Sequence, residues 1–289
     1  MDIIFKIKSK FTYCELEALY ATEDLKKKYD GMSICGGSLR GKRIVVTGGS
    51  SGIGLSIARR LLKEGAHVMI IARNLKKLQT AIKELNNPNV SYLCWDCSDY
   101  ANIRSTLDKI TEIWNHERID GWINCHGILS DWDRMAAFRR VPYKDFRKEL
   151  DINFCSVQAI IETVADYMSQ NGIKGTILSI SSIYGIFKNV VYTPYGISKI
   201  GVIGAVRRLA EKYSKLGITI VGIAPGSVAT NIWANIEGSS ISTNRTLLKR
   251  YALPEEIAAL AVALVSPMGK YLNGEVIIAS AAENYYQGG

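Results

Sequence analysis

Tyr195 and Lys199 stand four residues apart in "YGISK". If the segment is helical, both side chains share one face. An ammonium beside a phenol lowers the phenol's pKa toward neutrality, which makes a tyrosine a usable proton donor or acceptor. The same spacing recurs in "YGIFK", Tyr184 to Lys188, so context has to separate the two. Tyr184 follows the "SISS" strand end without helical period, whereas Tyr195 follows Pro194, a good first-turn residue, and opens the run "KIGVIGAVRRLAEKY". Tyr195 and Lys199 are therefore the expected proton-transfer pair, and Tyr184 is read as a pocket wall.

Two other groupings offer chemistry. "INCHG" sets Cys125 beside His126, but neighbours on a strand point to opposite faces, so a nucleophile and base pair is not expected. "CWDC", Cys94 to Cys97, has redox or zinc spacing. A structural zinc needs about four ligands, and no second pair follows, so no metal site is expected.

The third feature is the turn "VVTGGSSGIG", with Gly48, Gly49, Gly52 and Gly54 between an apolar run and a helical one. Glycines let the backbone approach a pyrophosphate, and the helix starting near Ile53 offers free N–H groups and a positive dipole end. A phosphate belongs there.

These residues need elements to position them. From Lys42 onward, the apolar runs "RIVVT", "HVMIIA", "VSYLCW", "DGWIN", "GTILSIS", "ITIVGIA" and "EVIIA" alternate with segments of helical period. One of those segments is a long helix through "FRKELDINFCSVQAIIETVADYM". Runs too apolar to have a wet face, alternating with helices, predict an α/β fold with a doubly wound, parallel, seven-stranded sheet and helices on both faces. Residues 1–40 read as an N-terminal extension, a short helix and a Gly/Ser joint, and 41–289 as a single domain. Residues 226–252, polar and rich in Gly, Ser and Asn, read as a substrate-side lid.

The 289 residues are 47% hydrophobic, enough for a full core, and carry six scattered cysteines expected to be reduced. No apolar run reaches the ~18 residues of a membrane span. We expect a cytoplasmic chain with no membrane partner. The net charge of +9 is spread among helical patterns without a basic tail, which favours an anionic small ligand over nucleic acid.

The glycine spacing after Thr47, Tyr195 and Lys199, and the "IAPGSVAT" segment together resemble the short-chain dehydrogenase/reductase family, in its shorter-chain branch, over roughly residues 41 to 278. The resemblance implies a Rossmann-type fold and an NAD(P)-dependent oxidoreductase. It makes Tyr195 the proton donor, Lys199 the residue that holds the nicotinamide ribose, and Ser182, thirteen positions before Tyr195, the partner of a substrate carbonyl. Asn153 in "DINF" would keep a water in a proton relay. Thr47, Gly48, Ser50, Ser51, Gly52, Ile53 and Gly54 would surround the phosphates, Asp96 and Cys97 the adenine. Asn124, Cys125, His126 and Gly127 would line the ribose, with Cys125 and His126 in place of the family's usual Asn-Ala. Pro225, Gly226, Val228 and Thr230 would contact the nicotinamide side.

The second strand ends at Ala72 and is followed by Arg73, with no acidic residue to bind a ribose 2′-hydroxyl. Arg73 can face a 2′-phosphate with a fixed planar charge, which favours NADP(H) over NAD(H). Trp132 and Trp233, each in a loop after a strand, are expected to favour a bulky or apolar substrate.

The expected function is reduction of a small-molecule carbonyl to an alcohol, or the reverse, with Tyr195 as general acid or base. The sequence is similar to 3-oxoacyl-carrier-protein reductases and to hydroxysteroid and long-chain ketone reductases. A non-catalytic dinucleotide sensor or scaffold is the alternative, and the joint presence of Ser182, Tyr195, Lys199 and Asn153 argues against it. A homodimer or homotetramer is expected, although the C-terminal "NGEVIIASAAENYYQGG" departs from the family's Asp-Gly-Gly ending.

Overall fold

The computed structural model describes residues 27, 33–34, 36–129, 141–187, 193–230 and 246–283. Seven strands form one sheet in the order β3-β2-β1-β4-β5-β6-β7, every pairing parallel. They are β1 (Arg43–Thr47), β2 (His67–Ala72), β3 (Val90–Cys94), β4 (Gly121–Asn124), β5 (Thr176–Ile180), β6 (Thr219–Pro225) and β7 (Val276–Ala279). The order reverses between β1 and β4, and such a switch point opens a crevice at the carboxyl ends of the strands.

Helices cover both faces, which is why the central strands carry apolar side chains in both directions. On one face, α1 (Gly52–Lys63), α2 (Leu75–Leu85) and α7 (Pro254–Val265) pack Ile57, Leu61, Leu78 and Val262 against Val46, Ile70 and Val221. On the other, α3 (Ile103–Ile113), α5 (Ser156–Gln170) and α6 (Thr193–Tyr213) pack Ile110, Ile160, Val164 and Val206 against Val45, Met69 and Trp122. Each such side chain, once enclosed, contributes roughly 1.5–3 kcal/mol relative to exposure. The edge strands β3 and β7 are less enclosed, since each has a neighbour on one side only.

The alternation read from the sequence places all seven strands, with ends shifted by a residue or two. The expected long helix is not one α-helix. It is α4 (Tyr143–Leu150), a π turn over Asp151–Cys155 and then α5, with continuous right-handed backbone through the junctions. Such single-turn bulges concentrate at functional sites.

The Gly/Ser joint is not detached from the domain. Leu39 is buried in the core beside α1, and Gly41 N–H donates to Gly65 O at 2.9 Å. Glu64 accepts from the Ile34 N–H at 2.7 Å and from Ser33 Oγ at 3.1 Å. The helix expected before this joint falls almost entirely outside the described residues, as do Trp132, Trp233 and residues 231–245 of the lid. The two described ends of that segment meet in an isolated parallel bridge between Val228 and Ala252, outside the sheet. Among the described residues, no helix is long and apolar enough to cross a membrane.

Candidate active site

A cavity of about 500 Å³ runs along the carboxyl ends of the strands. Its floor is the turn between β1 and α1. Gly48 has φ +69°, and a Cβ there would stand 2.8 Å from Cys125 O and His126 N. A Cβ on Gly54 would run into the Gly48 carbonyl oxygen. Glycine at both positions keeps the backbone low enough to leave a cradle, which Ser50, Ser51, Gly52 and Ile53 also line. The first turn of α1 holds no acidic residue, so its positive end faces the cradle unopposed.

One end of the cavity follows β2 and β3. Arg73 lines it together with Lys77, one helical turn on, and Asn74, whose side chain caps α2 by accepting from Lys77 N–H at 3.0 Å. Asp96 lines it as well. Burial works against its charge, yet the Ser98 N–H and Oγ–H, with Arg73 nearby, hold the carboxyl below its ordinary range. Cys97 is a buried wall residue whose thiol burial pushes up, and Cys94 is exposed. Both are free thiols, and no metal-binding group of His, Cys, Asp or Glu exists among the described residues.

The other end holds the proton-transfer pair. The Lys199 ammonium lies 5.5 Å from the centre of the Tyr195 ring and donates to Ile180 O at 3.1 Å. Burial pulls Lys199 down to about 8, partly offset by the charge of Glu149. Ser182 is buried at the end of β5, lines the cavity and accepts the Tyr184 N–H at 3.2 Å. Tyr184 meets the Tyr195 ring edge-on at 6.4 Å and forms a wall, as its place in the sequence suggests. Cys125, His126 and Gly127 line the middle, and burial pushes the Cys125 thiol up to about 12. Pro225, Gly226, Val228 and Thr230 close the far side.

Three residues expected at the site do not line the cavity. Thr47 is fully buried beneath it and reaches His126 Nδ1 at 2.7 Å. Asn124 is buried with its amide engaged, accepting from Trp122 Nε1 at 2.9 Å and donating to Ser179 Oγ at 3.2 Å. Asn153, inside the π turn, accepts from Ile128 N–H at 2.7 Å and donates to Ile128 O at 2.8 Å. Its Nδ2 also donates to Ser198 Oγ at 3.2 Å, and Ser198 donates to Tyr195 O at 2.7 Å. Asn153 therefore ties the loop after β4 to the helix that carries Tyr195 and Lys199, a positioning role.

Sequence reasoning did not find Ser181, which lines the cavity and donates its Oγ–H to Lys199 O at 2.9 Å. Its signal was its place beside Ser182. Lys77 was also missed, though its spacing from Arg73 was visible. Glu283, beyond β7, left no signal at all. Its carboxylate accepts Ser227 N–H at 2.6 Å and Ser227 Oγ–H at 2.7 Å, which fixes the turn after β6.

The described short-chain dehydrogenase family matches residues 42–240. A 3-oxoacyl-acyl-carrier-protein reductase of Rickettsia conorii is 31% identical over 83% of this chain and 95% of its own length. A carbonyl reductase family member 4 of Xenopus laevis is 31% identical over 82% of this chain and 95% of its own. The crystal structure of a short-chain type dehydrogenase/reductase from Mycobacterium marinum superposes with a TM-score of 0.78 at 26% identity, covering 85% of this chain and 96% of that one. The cradle, the tyrosine and lysine pair and these likenesses agree: the chain belongs to the short-chain dehydrogenase/reductase family of NAD(P)-dependent oxidoreductases.

Proposed function

We propose that this chain reduces a small-molecule carbonyl to an alcohol, or runs the reverse oxidation, with NADP(H) as its dinucleotide. One observation carries the reading: a single cavity joins a glycine cradle and the Arg73 and Lys77 cations at one end to Ser182, Tyr195 and Lys199 at the other. The cradle fits a pyrophosphate, because glycines at 48 and 54, where a Cβ would strike neighbouring backbone, let the turn close below the open N-terminus of α1. Two cations beside Ala72, where an acidic side chain would favour a free 2′-hydroxyl, suit a 2′-phosphate. When bound, the nicotinamide supplies or accepts the hydride.

The chain's own residues handle the proton and the orientation. Ser182 Oγ accepts the Tyr184 N–H, which leaves its own hydroxyl hydrogen to reach a substrate oxygen. Tyr195 gives its phenolic proton to that oxygen in reduction and takes it back in oxidation. Lys199, a cation below pH about 8, favours the phenolate left behind. Ser181 and Ile180 hold Lys199 from its backbone and its ammonium. Ile128, Leu129 and Tyr184 make this end largely apolar, which suits an apolar ketone.

The test is a titration of NADPH and NADH followed by a ketone screen with wild type and Tyr195→Phe. Reduction by wild type should fall by about 10²–10⁴-fold in the variant, with cofactor affinity kept. Wild-type turnover that Tyr195→Phe leaves intact refutes the mechanism, and tighter NADH than NADPH binding refutes the role of Arg73. Dinucleotide binding without any turnover would instead favour a sensor.

A further inference from the structure

His126 is a histidine in the wall of the cleft that the mechanism above does not use. Its ring lines the middle of the cavity and contacts two hydroxyls, Thr47 Oγ1 at 2.7 Å through Nδ1 and Ser156 Oγ at 2.8 Å through Nε2. The direction of each bond can be worked out. Ser156 spends its own hydroxyl hydrogen on Ile152 O at 2.7 Å, so its oxygen has to accept from Nε2–H. A neutral imidazole with Nε2 protonated leaves Nδ1 bare, and Nδ1 at 2.7 Å is a nearer acceptor for the Thr47 hydroxyl than Ile123 O at 3.3 Å. The Thr47 oxygen in turn accepts from the Cys125 N–H at 3.3 Å.

The result is a one-way chain: Cys125 N–H to Thr47, Thr47 O–H to His126, His126 Nε2–H to Ser156, Ser156 O–H to Ile152 O. Thr47 is the last residue of β1, directly before the glycine turn. Ile152 lies in the π turn, next to Asn153, which holds the loop after β4 and the start of α6.

We propose that His126 is a positioning residue that ties the phosphate cradle to the π turn and so fixes the spacing between the two ends of the dinucleotide cleft. The proposal rests on the dinucleotide reading of the cavity. The charges around the ring agree with a neutral form, since burial and the Lys199 cation outweigh Asp96 and pull His126 well below its ordinary range. An alanine would leave both hydroxyls without this link and let the cradle and the π turn drift relative to each other. The expected penalty falls on cofactor affinity more than on the chemical step, because Ser182 and Lys199 are held by separate bonds.

The chain has three histidines, so ¹⁵N-histidine labelling gives a readable spectrum. One ring should show protonated Nε2 and bare Nδ1 and keep that signature from pH 8 to 5, where a free imidazole titrates near 6.5. That signal should vanish in His126→Ala and change in Ser156→Ala. In His126→Ala the NADPH Kd should rise about tenfold, the equivalent of the two lost neutral bonds, with a smaller fall in kcat. His126→Gln, which can donate on one side and accept on the other, should recover part of the affinity. An assigned His126 ring that titrates near 6.5, or carries its proton on Nδ1, overturns the proposal. An unchanged Kd in His126→Ala does the same. Wild type that binds neither dinucleotide would refute the functional reading instead, while the ring signature still decides whether the link exists.

Discussion

The two ends of the cleft are built differently. The phosphate end is shaped mainly by main chain: glycines at positions 48 and 54, the open N-terminus of α1, and the Gly48 N–H donating to Ile71 O at 2.8 Å. The catalytic end is held by side chains that reach across the sequence. Asn153 bonds a residue 25 positions away, Ser181 one 18 away and Glu283 one 56 away. A cradle made of backbone tolerates little added volume, whereas an end tied by side chains loses its ties singly and keeps its shape in part. The first should fail in binding and the second in stability or rate.

The largest expected effect tests the first half of that contrast. Gly54→Ala places a Cβ against the Gly48 carbonyl. Overpacking of this kind costs about 1–3 kcal/mol; where that cost falls on the cradle in its binding shape, NADPH affinity should weaken about 5- to 150-fold, read by fluorescence titration with circular dichroism as the check on folding. A folded variant that binds as tightly as wild type would remove the cradle from the argument.

A middle-sized effect belongs to Glu283. Glu283→Ala removes a buried acceptor of two bonds, and hydrogen bonds to a charged group contribute about 1.5–3 kcal/mol each. The melting midpoint should fall by on the order of 5 °C or more, with a change in NADPH affinity smaller than for Gly54→Ala. Glu283→Gln should sit between, since one amide oxygen still accepts. If Glu283→Ala lowers affinity as much as the glycine change without lowering the midpoint, the two ends do not differ as described.

The smallest effect is a pH dependence. Lys199 in the folded chain is pulled down to about 8 from an ordinary 10.5. Between those values the unfolded chain binds a proton that the folded chain does not, so this group makes folding more favourable as pH rises. Turnover that needs the cation should move the other way and decline above pH about 8. Opposite slopes of midpoint and rate would sharpen the assignment, and parallel slopes would contradict it.

Much of this was legible in the sequence because burial on both faces leaves a plain mark. β1, β2, β4, β5 and β6 read as apolar runs, and the glycine turn and the Tyr195 and Lys199 spacing carry their own geometry. Other parts had no local mark. The π turn replaces one hydrogen-bond pattern by another without changing the side-chain sequence, so the segment read as plain helix. Asn124 and Thr47 were placed at the cofactor by pattern, yet their side chains turn into the protein because neighbouring buried polar groups need partners. Glu283 could not be tied to Ser227 from the sequence, since only the closed sheet brings them together.

The π turn has one further consequence, and it concerns length rather than chemistry. An α-helix advances about 100° per residue, and a π turn accommodates one residue more than the α turn it replaces. Deleting a single residue from Asp151–Cys155 would let this turn relax to ordinary helix with α4 and α5 still in phase, but the side chains inside the turn would be re-aimed. Asn153 would leave Ile128 and Ser198, although Ser156 kept its place beside His126. The active site is in this sense written in residue count as well as in residue type, and a gap of one position here would matter more than most substitutions.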